Sequence, residues 1–120
     1  MSQIKSCTGD EVLTLIRENR GLLLVHFYSP LHSSSDFLSR GLNLVAPHFL
    51  GRVQFAEVQP LQDLEIAQGF AIDQLPTLIL FVHDREVERI EHVMLPEELS
   101  EFLETAAAFY ASAGGDEGVY

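Results

Sequence analysis

Two stretches of this chain are apolar along nearly their whole length, and they restrict the folds open to it. They are Leu22-Leu23-Leu24-Val25-His26-Phe27-Tyr28 and Thr77-Leu78-Ile79-Leu80-Phe81-Val82. Such runs suit strands buried on both faces, as in the middle of a layered α/β sheet. A length of 120 residues suits one domain with one core, and 47% apolar residues are enough to fill it.

The elements around these runs follow from local signals. Residues 4–7 form a short first strand. Thr8-Gly9-Asp10-Glu11 reads as a capping box, with Thr8 at the N-cap and Glu11 reaching back. Val12, Leu13, Leu15 and Ile16 give one apolar helical face, and Gly21 fits as the stop. After the first apolar run, Ser29-Pro30-Leu31-His32-Ser33-Ser34 is a loop with turn chemistry, and Ser33 or Ser34 is placed to cap the next helix. Phe37, Leu38, Leu42, Leu44, Val45 and Phe49 supply that helix's apolar side, and Pro47 should kink or end it.

A third strand is predicted over 53–58, then a short helix over 63–69 with Leu64, Ile66 and Ala67 packing inward. The second apolar run follows, then a turn at Asp84-Arg85 and a last strand over 87–92. Pro96 opens the last helix, with Leu99, Phe102, Leu103, Ala106 and Phe109 as its inner face. The order β-α-β-α-β-α-β-β-α implies α/β architecture, a mixed central sheet of about five strands flanked by about four helices. Residues 1–111 read as the domain and 112–120 as a flexible acidic tail.

Charge narrows the function. The net charge is -11, and the seven basic residues are scattered. No clustered basic footprint is present for nucleic acid or for an anionic membrane surface. No apolar run approaches the ~20 residues of a membrane helix. Residues 1–5 lack a secretory pattern, so a cytoplasmic protein is expected. Cys7 is the one cysteine, which excludes an intramolecular dithiol/disulfide cycle.

The element order, the strand Leu24-Val25-His26-Phe27-Tyr28 and the run Leu75-Pro76-Thr77-Leu78-Ile79-Leu80-Phe81 together resemble the thioredoxin family, over residues 4–108. The resemblance implies a thioredoxin fold, a cis bond before Pro76, and a proline that faces the redox loop. The family's Trp-Cys-Gly-Pro-Cys segment falls on Leu31-His32-Ser33-Ser34-Ser35. Neither the imidazole of His32 nor the hydroxyl of Ser35 can replace a thiolate in disulfide exchange. The resemblance also puts His92 in place of a glycine that admits substrate backbone, so its ring should partly fill the groove. Arg40 replaces a helix proline. The family's buried acid becomes His26 and its lysine becomes Glu57. A His26–Glu57 contact is expected to satisfy both groups and to raise the imidazole pKa.

Within the superfamily, Val25-His26-Phe27-Tyr28 is similar to the strand of phosducin-like proteins, which also lack the two-cysteine motif and act by binding. Their helical N-terminal region has no counterpart here.

The resemblance therefore implies a protein-binding module, adaptor-like or co-chaperone-like, without oxidoreductase activity, and not an enzyme. Its expected surface is the former substrate groove of Tyr28, Leu31, His32, Leu75, Pro76 and His92. No cofactor and no metal are expected. His26, His48, His83 and His92 sit on different elements without ligand spacing, and His32 reads better as a polar loop residue than as a ligand or base. Cys7 reads as a buried inert thiol. Two alternatives stand. One is a glutathione-binding or glutathione-transferase-like enzyme using Ser33 or Ser35 at the helix start. The other is a structural subunit of a larger assembly. The partner is a protein or peptide, and the oligomeric state stays open.

Overall fold

The computed structural model describes residues 3–115, with side chains through Tyr110. Five strands form one sheet in the order β1-β3-β2-β4-β5: β1 (Ile4–Cys7), β2 (Leu22–Phe27), β3 (Val53–Val58), β4 (Thr77–Val82) and β5 (Arg85–Ile90). β3 runs parallel to both β1 and β2, whereas β4 is antiparallel to β2 and to β5. Four helices cover the sheet: α1 (Gly9–Glu18), α2 (Ser33–Val45), α3 (Leu64–Gly69) and α4 (Pro96–Gly115). This is the thioredoxin fold.

Every residue of β2 and β4 is buried, which is why both read as continuous apolar runs. Their side chains divide by parity between two cores. Leu22, Leu24, Leu78 and Leu80 pack with Leu38 and Leu42 of α2 and Leu99 and Leu103 of α4. Leu23, Val25, Phe27 and Ile79 pack on the other face with Val12 and Ile16 of α1 and Ile66 of α3. Each fully buried Leu or Phe contributes about 1.5–3 kcal/mol, so the central pair of strands anchors both layers.

The capping box of α1 forms as expected. Glu11 N donates to Thr8 Oγ1 at 3.2 Å, and Thr8 N donates to Glu11 Oε1 at 2.8 Å. The helix ends at Asn19, not at Gly21. The Asn19 side chain is buried, and its amide nitrogen donates to the carbonyls of Gly21 and His83 at 2.9 and 2.8 Å. That amide ties the α1–β2 turn to the β4–β5 turn, a contact 64 residues apart in sequence. Pro47 lies in a 3₁₀ turn, Ala46–Phe49, that follows α2 and takes the chain out of it.

Four further expectations shift. β5 begins at Arg85, two residues earlier than predicted, because His83 takes φ +56° and makes the tight turn where a glycine is usual. On α4, Leu99, Leu103 and Ala106 face the core, and Tyr110 continues that stripe while Phe109 is 69% exposed. The helix repeat of 3.6 residues carries the stripe from 106 to 110 and turns 109 away. Leu64 is exposed as well, leaving Ile66 as the buried anchor of α3. α4 continues to Gly115, past the expected start of the tail at Ser112, and residues 116–120 lie outside the described residues. Among the described residues, no helix is long and apolar enough to cross a membrane.

Candidate functional site

β2 delivers the chain to a short loop, and α2 starts one residue after it at Ser33. The loop is held by its own serines. Ser29 Oγ accepts from Leu31 N at 3.2 Å, and His32 N donates to the Ser29 carbonyl at 3.1 Å. Ser35 is fully buried, and its hydroxyl accepts from Ser29 N at 3.2 Å. Ser35 is thus part of the loop's scaffold. His32 is the N-cap of α2, and its exposed side chain makes no capping bond. The capping expected of Ser33 or Ser34 does not occur, because the helix starts early enough to put both in its first turn.

Leu75–Pro76 is a cis peptide, with Pro76 buried at the head of β4. His32 and Leu75 line one cavity of about 290 Å³, together with Leu61, Ala67 and Ile72. The altered loop and the cis-proline segment therefore face each other across a groove. Leu31, beside His32 in the chain, is 88% exposed. The other expected groove residues lie elsewhere. Tyr28 lines a separate cavity with Cys7, its hydroxyl accepting from Gln59 Nε2 at 3.3 Å. His92 is exposed, with Nδ1 3.1 Å from the Val93 carbonyl, and it is not part of the lining around Leu75. The sequence reading missed Leu61 and Ile72. An exposed leucine following Pro60 in an otherwise polar segment was the available signal.

His26 and Glu57 are register partners on β2 and β3, as the resemblance implied. Their expected direct contact is replaced by Ser39 of α2. Its hydroxyl lies 3.5 Å from His26 Nδ1 and 3.5 Å from Glu57 Oε2. His26 is fully buried, and its Nε2 has no hydrogen-bond partner. Burial therefore pushes the imidazole pKa down to about 4, the reverse of the expected rise. Glu57 is half-buried, and desolvation raises its pKa while the Ser39 hydroxyl opposes the rise. The expected direct contact is thus replaced by two groups separated by a hydroxyl.

Cys7 is half-buried, and burial raises its thiol pKa, with Glu11 adding to the rise. A redox nucleophile needs the opposite shift, toward thiolate. Among the described residues, no group of three or more His, Cys, Asp or Glu side chains is arranged to hold a metal ion.

The sequence model of the thioredoxin family matches residues 3–105. The chain belongs to the thioredoxin family. No curated protein matches it in sequence. Among solved structures, it is similar to chloroplastic thioredoxin z, with 20% identity and a TM-score of 0.80 over 90% of this chain and 96% of that one. Mitochondrial thioredoxin 3 of Saccharomyces cerevisiae, in its oxidized form, gives 18% identity and a TM-score of 0.73, over 85% and 94% of the two chains. A third likeness, with 20% identity and a TM-score of 0.74 over 85% and 94%, comes from work on thiol resolution in yeast mitochondrial 1-Cys peroxiredoxin via glutathione/thioredoxin systems. At these identities the structures speak for the fold alone. Within the thioredoxin family, a chain with a single cysteine on β1 does not fit the role of a dithiol disulfide reductase.

Proposed function

We propose that this thioredoxin-family protein is a non-catalytic binding module, acting in the cytoplasm, that holds a protein segment at the groove between its altered loop and Pro76. The observation that carries the reading is the fate of the two thiol positions. His32 is an exposed helix cap, and Ser35 is a buried brace of the loop. The groove retains apolar walls in Leu61, Ile72 and Leu75, with Leu31 exposed beside it. An extended segment with one apolar side chain suits such a surface. Burial of Ser35 also weighs against a glutathione-transferase-like role for its hydroxyl. The likeness to phosducin-like proteins rests on four residues of β2 and lends the binding role no more than analogy.

The test compares the wild type with Leu31→Asp and with Leu44→Asp, another exposed leucine far along α2. Partners captured by the wild type are purified, and their affinities are measured by calorimetry. Leu31→Asp is expected to weaken binding about tenfold or more, the loss of one buried leucine. Leu44→Asp should bind as the wild type does. Equal affinities for all three proteins would place the contact away from this groove.

A further inference from the structure

One imidazole, that of His32, lines the groove beside Leu61, Ala67, Ile72 and Leu75. Its ring makes no capping bond, and among the described residues no side chain holds it in a hydrogen bond. Imidazole is the side chain that ordinarily changes charge between about pH 5 and 8. The walls around it carry few charges. The 3₁₀ turn Pro60–Gln62 contributes Pro60 and Leu61, and α3 contributes Ala67. Asp73, ahead of β4, is the one carboxylate in the lining, and its charge also acts on Arg89 of β5. On α2, Asp36 is tied to Arg40 at 2.7 Å.

Two effects oppose a charged ring once the groove is filled. His32 is the N-cap of α2, and the amino end of a helix is the positive end of its dipole, which disfavours a cation. In the free protein the exposed ring is solvated by water. An apolar side chain seated on Leu61, Ile72 and Leu75 displaces that water, and a charge stripped of water is costly unless it is paired. Asp73 is the one group of the lining that offsets this cost. We propose that occupancy of the groove is proton-linked through His32: the neutral ring admits an apolar side chain, and the imidazolium rejects it. A partner is held near neutral pH and released on acidification. This gate rests on the binding role proposed for the groove and adds its regulation.

The probe is N-acetyl-leucine amide, titrated into the full chain at pH 7.5 and at pH 5.5 and followed by amide chemical shifts. Saturable shifts are expected at Leu61, Ile72 and Leu75 at pH 7.5, with an affinity about fivefold to tenfold lower at pH 5.5. His32→Gln, uncharged at both values, should hold one affinity across the range. Asp73→Asn removes the offsetting carboxylate and should deepen the loss. An affinity that holds at pH 5.5, the same fall in His32→Gln, or a fall that vanishes in Asp73→Asn would overturn the gate. Acid also weakens the fold through the buried neutral His26, so a second comparison is made at pH 7.5 alone. There His32→Lys, which is charged, should bind about fivefold to tenfold more weakly than His32→Gln, and equal affinities refute the gate. Shifts at the groove without any of these differences reject the gate and keep the groove. Probe shifts absent from the groove at pH 7.5 reject both.

Discussion

His26 is a fully buried imidazole with one nitrogen unpartnered, so its proton balance couples to folding. In the unfolded chain it titrates near 6.5, and in the folded protein near about 4. Between those values the unfolded state binds the extra proton, so stability falls as the pH drops through that window. Fully developed, the difference is worth about 3 kcal/mol. Glu57 acts in the opposite sense. Its raised pKa makes the folded state hold a proton longer, which slightly favours folding toward the acid side of its titration. Urea unfolding between pH 7 and pH 4 is expected to show the His26 loss, and His26→Leu should flatten it. An imidazole that titrates at its ordinary value by NMR would contradict this picture. The direction of that shift was not legible in the sequence. His26 and Glu57 could be paired by their positions, but nothing on either strand announces that Ser39 of the next helix stands between them.

Among the elements, α1 meets the start of α3 closely at Gly9. A methyl at Gly9 would overlap Asp63 Oδ2 and lie 2.7 Å from Ile66 Cγ1. Asp63 is also the N-cap of α3, so moving it disturbs a second helix. Gly9→Ala is therefore expected to cost about 1–3 kcal/mol in thermal or urea unfolding. Gly69→Ala, where nothing lies within 4 Å, should be neutral or slightly stabilising. Equal effects for the two would show that α1 and α3 are not packed as described. Elements of this kind were readable where one signal sufficed. Thr8 and Glu11 marked the start of α1, and the unbroken apolar runs marked β2 and β4. Readings failed where the deciding partner was remote. Asn19 ends α1 by bonding across to His83, and the phase of α4 selects Tyr110 over Phe109 only through packing on the sheet.

At the scale of the whole molecule, the two faces of one sheet divide the work. The α2–α4 face holds the larger core and the His26–Ser39–Glu57 group. The strand ends carry both cavities, on either side of Pro60–Gln62. The family match places this chain in the thioredoxin family, while its one cysteine sits on β1. The groove was foreseen only in part, because Leu61 and Ile72 come from a connection that carries no motif. The most direct test of the account is reduction of insulin disulfides by the purified wild-type protein, supplied with dithiothreitol and run beside Cys7→Ser. No turnover above the reagent alone is predicted for either protein. Catalytic turnover by the wild type that disappears in Cys7→Ser would show that sulfur chemistry persists through the single thiol, and the non-catalytic reading would fall.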